Sequence, residues 1–374
     1  MAKKSHRLKW ALNIVTLILI GVVVYFAWPD ISCLWQANPE LCEQPLLVGV
    51  NYWILILIIP VQFLSYLSND MMIYTYLRGR GQLKHTPMSQ VVAMSLELNF
   101  VNHIFPSGGL SGATYMVWRL GKLGVSAGQA TMSQIIRFLL TMAVFIVFLA
   151  ISLFVVTAGN ATDNWIVLMS AIVVTTVFFI VVFAAYLVGS RNRITSFAKW
   201  ITRSGNKIVR IASFGYVKKK VLIEAGVVKF FLDIHEDFEV VKAEKRLLIK
   251  PLIWGLIFMI TDVGLFAITF LAMGVAFNPA VLILGYIVAF VAGSVMITPG
   301  GVGGFELAMI AVLVSGGMIA SEATAGVILA RVILVILTLA SGYVVYHRAL
   351  RHFGRPAMDA KIELAPEHIE KAKK

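Results

Sequence analysis

Thr298-Pro299-Gly300-Gly301-Val302-Gly303-Gly304-Phe305-Glu306 cuts a long apolar region with a proline, four glycines and a carboxylate. Phe105-Pro106-Ser107-Gly108-Gly109-Leu110-Ser111-Gly112 echoes it in the first half of the chain. Proline and glycine break a helix, and in a bilayer the freed backbone groups find no partner in lipid. Such breaks persist where protein buries them or a wet cavity receives them. Two breaks at corresponding places in two halves are a sequence mark of a transporter's binding site. The pattern therefore predicts a membrane protein that carries something into or across the bilayer.

Composition supports a lipid-embedded chain. Of 374 residues, 59% are hydrophobic and 14% charged, with a mean hydropathy of +0.86. Soluble domains carry roughly 25% charged residues. The net charge of +13 is compatible with nucleic acid as a partner. Its placement argues against that, because Lys and Arg flank apolar runs, where they orient spans and meet anionic lipid. Two cysteines, Cys33 and Cys42, are too few for an iron–sulfur or Cys-rich zinc site. In an oxidising compartment they can form a disulfide; two free thiols remain the alternative.

In chain order, Lys3, Lys4, Arg7 and Lys9 precede an apolar run from Trp10 to Trp28, read as a signal-anchor span. The following loop to residue 45 lacks Lys and Arg. A second span, Leu46 to about Leu67, returns to Arg78, Arg80 and Lys84. The charge bias puts the N-terminus and 78–84 in the cytoplasm. Residues 88–105 and Ala113–Gly124, the latter with Arg119 and Lys122, form a re-entrant hairpin around Pro106. Ala127–Val156 crosses outward and Trp165–Gly189 returns. Residues 190–250 hold 14 Lys/Arg against 6 Asp/Glu, with apolar residues at helical spacing. This predicts amphipathic helices on anionic inner-leaflet lipid, or an ordinary positive-inside loop. Leu252–Gly274 is the next span. Ala280–Ile297 and Phe305–Gly317 make a second hairpin, and Ser321–Tyr346 ends in a basic tail. No catalytic domain is expected after it.

The expected fold is an all-α integral membrane protein with about six full spans and two re-entrant helical hairpins. Its domains are a signal anchor and outside loop (1–45), repeat 1 (46–156), a connecting span (157–189), the basic insertion (190–250), repeat 2 (251–347) and a cytoplasmic tail (348–374). Because the hairpins enter from opposite sides, the halves form an inverted-topology repeat. The spacing agrees: Pro106 to Arg137 is 31 positions and Pro299 to Arg331 is 32.

Arg137 and Arg331 sit inside otherwise apolar spans, where a charge costs about 2.5–3.5 kcal/mol on insertion scales. Gln129, Ser133, Arg137 and Thr141 share one helical stripe, as do Thr324, Arg331 and Thr338. Both arginines are candidates for a lipid phosphate, which suits guanidinium geometry; the bland reading is an Arg that satisfies carbonyls freed at the breaks. Asn99 and Asn102 share a face with Ser95 and His103, lining a hydrated groove or bonding between helices. Asp262, Glu306 and His103 are candidates for ion or proton coupling; capping or pairing with Arg331 is the alternative for Glu306. Glu97 and Glu322 are further acids at or near membrane depth. The breaks lack the Gly-Lys-Ser/Thr ending of a phosphate-binding loop of nucleotide enzymes, so neither nucleotide nor other cofactor is expected. No metal site is expected either.

Pro106-Ser107-Gly108-Gly109 and Pro299-Gly300-Gly301-Val302-Gly303-Gly304-Phe305-Glu306, with Arg137 and Arg331 downstream, resemble the flippase-like membrane region of lysylphosphatidylglycerol synthases. The resemblance covers residues 10–347. It implies lipid translocation through cavities formed by re-entrant helices. It carries over to Pro106, Gly108, Gly109, Arg137, Pro299, Gly300, Gly301, Gly303, Glu306 and Arg331. The aminoacyl transferase domain of the synthases has no counterpart here, so lysine transfer is not expected.

The resulting expectation is a non-enzymatic lipid transporter of the cell inner membrane, with both termini cytoplasmic. It would move a phospholipid or polyprenyl-linked lipid without ATP hydrolysis. The partners expected are that lipid and anionic inner-leaflet lipid, with a homodimer open and nucleic acid excluded. A secondary transporter of a small anion and an accessory subunit of a lipid-modifying enzyme or glycosyltransferase are the alternatives.

Overall fold

A computed structural model describes residues 49–105, 110–158, 186–212, 224–296 and 298–354, with residues 175, 179, 182 and 183. Every regular element among these is helical. Four helices are long and apolar enough to cross a membrane: Tyr52–Gly79, Ala127–Ala158, Lys245–Ala272 and Ala320–Phe353. They fall on four of the six expected spans. The expected spans at 10–28 and 165–189 lie wholly or largely outside the described residues, as do Cys33 and Cys42.

A turn, Tyr52–Leu55, leads into α1, Ile58–Gly79. The first half continues with α2 (Met88–Ile104), α3 (Leu110–Gly121) and α4 (Ala127–Ala158). An insertion carries α5 (Arg191–Ala212) and α6 (Glu224–Ala243). After a single-turn helix, Lys245–Leu248, the second half follows as α7 (Ile249–Ala272), α8 (Pro279–Val295), α9 (Gly304–Ser315) and α10 (Ala320–Phe353). Helix lengths run 22, 17, 12 and 32 residues in the first half and 24, 17, 12 and 34 in the second. Packing follows the same correspondence. Helices α1 and α7 pack on each other, α2 packs on α10, and α8 packs on α4.

The hairpin arms stop for chemical reasons. Pro106 disfavours helical backbone at the residue before it, and Phe105 is extended (φ −96°, ψ 119°). Helix α8 starts at Asn278, whose side chain accepts from the Ala280 amide at 2.9 Å, with Pro279 in the first turn. Both are favoured there. It ends at Met296, also extended. At a rise of 1.5 Å per residue, arms of 17 and 12 residues reach about 26 and 18 Å. The hydrocarbon core is about 30 Å thick, so neither arm crosses it alone.

Helix α1 continues past the expected end at Leu67 to Gly79. Its polar second half is buried inside the protein, with Ser68, Asp70, Tyr74 and Tyr76 all shielded from the surface. The main core joins Met72, Phe145, Phe266, Tyr286, Phe305 and Met309 from α1, α4, α7, α8 and α9. A second cluster joins Tyr76, Leu98, Met116 and Leu120 to Ile194 and Ile234 of the insertion. Phe154, Ile260, Leu307 and Val344 are exposed, as lipid-facing positions are. In the insertion, α5 packs on α6 and α6 on α4. Arg80, just past α1, pairs with Asp237 of α6 at 2.5 Å.

Candidate substrate-binding site

The second break is a tight turn built for glycine. Gly300, Gly301 and Gly303 take φ of 61°, 71° and 94°, conformations open to glycine at little cost. A Cβ on Gly301 would lie 2.8 Å from the Gly293 carbonyl oxygen, so the turn rests directly on α8. Thr298 closes it by donating to the Val302 carbonyl at 2.8 Å. Glu306 lies in the first turn of α9. One carboxylate oxygen accepts the Gly303 amide at 2.6 Å, and the other accepts Arg331 Nε at 2.5 Å. Arg331 also donates from Nη2 to the Gly300 carbonyl at 2.8 Å and covers the Phe305 ring at 4.7 Å. The carboxylate satisfies an orphan donor at the helix start, and the arginine satisfies a carbonyl freed by the break.

The end of the first hairpin's long arm reaches this turn. The His103 ring packs on Gly300, where a Cβ would stand 3.0 Å from its Cδ2. His103 Nδ1 lies 2.8 Å from the Asn99 carbonyl. A carbonyl oxygen only accepts, so Nδ1 carries a proton there. Asn99 gives its amide to the Ser95 carbonyl at 2.9 Å, within α2. Asn102 Oδ1 accepts the Gly112 amide at 3.0 Å, tying the two arms of the first hairpin together. Pro106, Gly108 and Gly109 lie outside the described residues.

Arg137 is held differently. Its guanidinium makes no hydrogen bond among the described residues and faces Asp70 of α1 at 3.7 Å. The Asp70 side chain is 3% exposed, and neither of its carboxylate oxygens has a hydrogen-bond partner among the described residues. Nearby, Arg119 Nε meets Glu97 at 3.0 Å, Tyr115 donates to the same carboxylate at 2.9 Å, and the Arg119 guanidinium covers Phe353 at 3.9 Å. That pair locks the arms of the first hairpin together and leaves no exposed charge there.

A buried polar chain links α1 to the second half. Ser65 donates to Asp262 at 2.6 Å, and the Tyr286 hydroxyl donates to its other oxygen. Gln62 donates to the Tyr66 hydroxyl at 2.8 Å, the Leu334 carbonyl at 2.9 Å and Thr338 at 3.0 Å. Ser133, Thr141 and Thr338 are buried, so both polar stripes face inward.

The structure thus gathers Arg331, Glu306, Gly300, Gly301, Gly303 and His103 around one turn. Arg137 belongs to a separate contact with α1, and Asp262, on α7, to a third with Ser65 of α1 and Tyr286 of α8. Asp70 escaped the sequence reading because it lies beyond the expected end of its span. A usable signal was present: Asp70 precedes Pro106 by 36 positions, and Asp262 precedes Pro299 by 37. Among the described residues no three His, Cys, Asp or Glu side chains converge as a metal site would require.

Long apolar helices joined by short broken hairpins, with ionisable groups turned inward, define a multi-pass helical membrane protein. The chain belongs to the lysylphosphatidylglycerol synthase TM region family, whose sequence profile matches residues 12–342. No curated protein and no solved structure matches it.

Proposed function

We propose that this protein moves a phosphate-bearing lipid between the leaflets of the cell inner membrane, without ATP hydrolysis and without chemical change to the lipid. Family membership supports a lipid-related role. The observation that carries the reading is the meeting of the two hairpins, with His103 at the end of one long arm against Gly300 in the turn of the other, and inward-facing arginines on the spans that follow. In this reading the halves are an inverted repeat, each hairpin entering from its own side. The headgroup enters between them, drawn by Arg137 and Arg331, while its tails stay in the bilayer. Broken helices at the membrane midplane hold anionic substrates in this manner. Helix α5, with six basic and no acidic residues and an exposed Trp200, lies on the anionic inner leaflet.

The test is exchange of headgroup-labelled phosphatidylglycerol between leaflets of proteoliposomes. Wild type should exchange label faster than empty vesicles, and Arg137→Ala should return the rate to background. Uptake of a soluble phosphate with no lipid exchange would favour a small-anion transporter. Neither activity, across phospholipid and polyprenyl-phosphate probes and with an imposed pH gradient, would favour an accessory subunit.

A further inference from the structure

Two arginines occupy matching helices, yet their surroundings differ in a way that assigns them different work. Arg331 has its Nε on Glu306 and its Nη2 on the Gly300 carbonyl. Displacing it would open the cap of α9. Arg137 donates no hydrogen bond among the described residues, and its side chain remains 20% exposed. Its counter-ion, Asp70, is buried with both oxygens unbonded among the described residues. The Ser95 hydroxyl on α2 faces this carboxylate but donates to the Val91 carbonyl at 3.2 Å. A buried carboxylate held by one cation at 3.7 Å is poorly compensated. If Arg137 turned elsewhere, the carboxylate would lose its one counter-ion in a site that disfavours a lone charge.

We infer that Asp70 and a phosphate group compete for Arg137, so that binding the anion at Arg137 draws one proton onto Asp70. The inference rests on the transport reading for the lipid but concerns a binding step that can be measured without transport. The balance is simple: the carboxylate gives up its ion pair, the guanidinium passes to the phosphate, and a proton from water neutralises Asp70. Among the described residues, the other inward-facing ionisable groups near this pair have closer partners, while Lys245, Arg246 and Lys250 beside α1 are exposed. Glu97 of α2 is occupied by Arg119 and Tyr115. Asp262 of α7 is occupied by Ser65 and Tyr286, Arg331 of α10 by Glu306, and Asp237 of α6 by Arg80.

The experiment uses purified protein in zwitterionic nanodiscs, titrated with dihexanoyl phosphatidylglycerol and, separately, with inorganic phosphate. Binding is read by calorimetry in weak buffer containing a pH indicator. The expected result is uptake approaching one proton per bound probe. Wild-type affinity should weaken by up to tenfold per pH unit above the titration of Asp70, the limit for one linked proton. Asp70→Asn should bind at least as tightly, independently of pH and without proton uptake. Arg137→Gln should lose binding at least tenfold. If Asp70→Asn misfolds, Asp70→Glu replaces it and should shift the pH at which affinity changes. Binding of the lipid probe alone names a headgroup as the source, and equal binding of inorganic phosphate names a free anion. Wild-type binding without proton uptake, uptake retained in Asp70→Asn, or no binding of either probe overturns the proposal. Linked binding without leaflet exchange would leave this inference standing and remove the transport reading; exchange with equal pH dependence in wild type and Asp70→Asn would do the reverse.

Discussion

Arg331 of α10 is bound into the turn it faces, with a carboxylate at 2.5 Å and a backbone carbonyl at 2.8 Å. Arg137 of α4 has a carboxylate at 3.7 Å and no hydrogen bond among the described residues. The helices that carry them correspond in order, length and packing, so the difference comes from a few side chains. Glu306 stands seven positions after Pro299, where the first half has Ala113 seven after Pro106. Without an acid in the first turn of α3, Arg137 turns to α1 for its charge partner. In the second half the equivalent acid, Asp262, is freed from that duty and takes two hydroxyl donors instead. One added carboxylate thus turns a long ion pair into a close structural clamp.

The contrast can be broken by substitution. The largest effect on stability should follow Glu306→Ala, which removes the partner of Arg331 and the cap on Gly303 together. Leaving a largely buried charge unpaired costs about 3–5 kcal/mol, and the partial exposure of both groups sets the expectation near the lower end. Reversible unfolding in mixed micelles measures it, and a loss below about 1 kcal/mol would show that Arg331 is not clamped. Gly301→Ala should come next, at about 1–3 kcal/mol for a residue held at positive φ, with the Gly293 carbonyl in the way of the added carbon. Tyr286→Phe should cost about 1.5–3 kcal/mol, the range for a hydrogen bond to a charged group. The smallest change in stability should come from Asp70→Asn, within about 1 kcal/mol of wild type, because removing a buried, poorly compensated carboxylate offsets the loss of the counter-ion of Arg137. A loss for Asp70→Asn equal to that of Tyr286→Phe would erase the proposed difference between the two acids.

Much of the hairpin geometry was legible in the sequence. Glycine and proline have few uses inside apolar helices, so the breaks and the arms around them stood out. Arg331 and Glu306 were legible as a pair for the same reason. Partnership was harder to read. Arg119 argued for a polar, cytoplasm-directed arm, yet it is buried against Glu97, twenty-two positions earlier. A charge counted singly overstates polarity when its counter-ion sits on the neighbouring arm. Asp70 was lost because apolar content falls after Leu67, and hydropathy cannot tell a helix leaving the membrane from one burying its polar face in protein. Asn102 offered two readings, a wet groove or a bond across helices, and the structure shows the bond, to Gly112.

The contact between His103 and Gly300 has a mechanical consequence. The imidazole there packs against a backbone that carries no side chain, and the Gly300 carbonyl is itself held by Arg331. The closeness of the two hairpins therefore depends on position 300 staying bare: nothing projects from the glycine toward the ring. Any side chain at position 300 would act as a stop, holding the hairpins apart even where the fold survived.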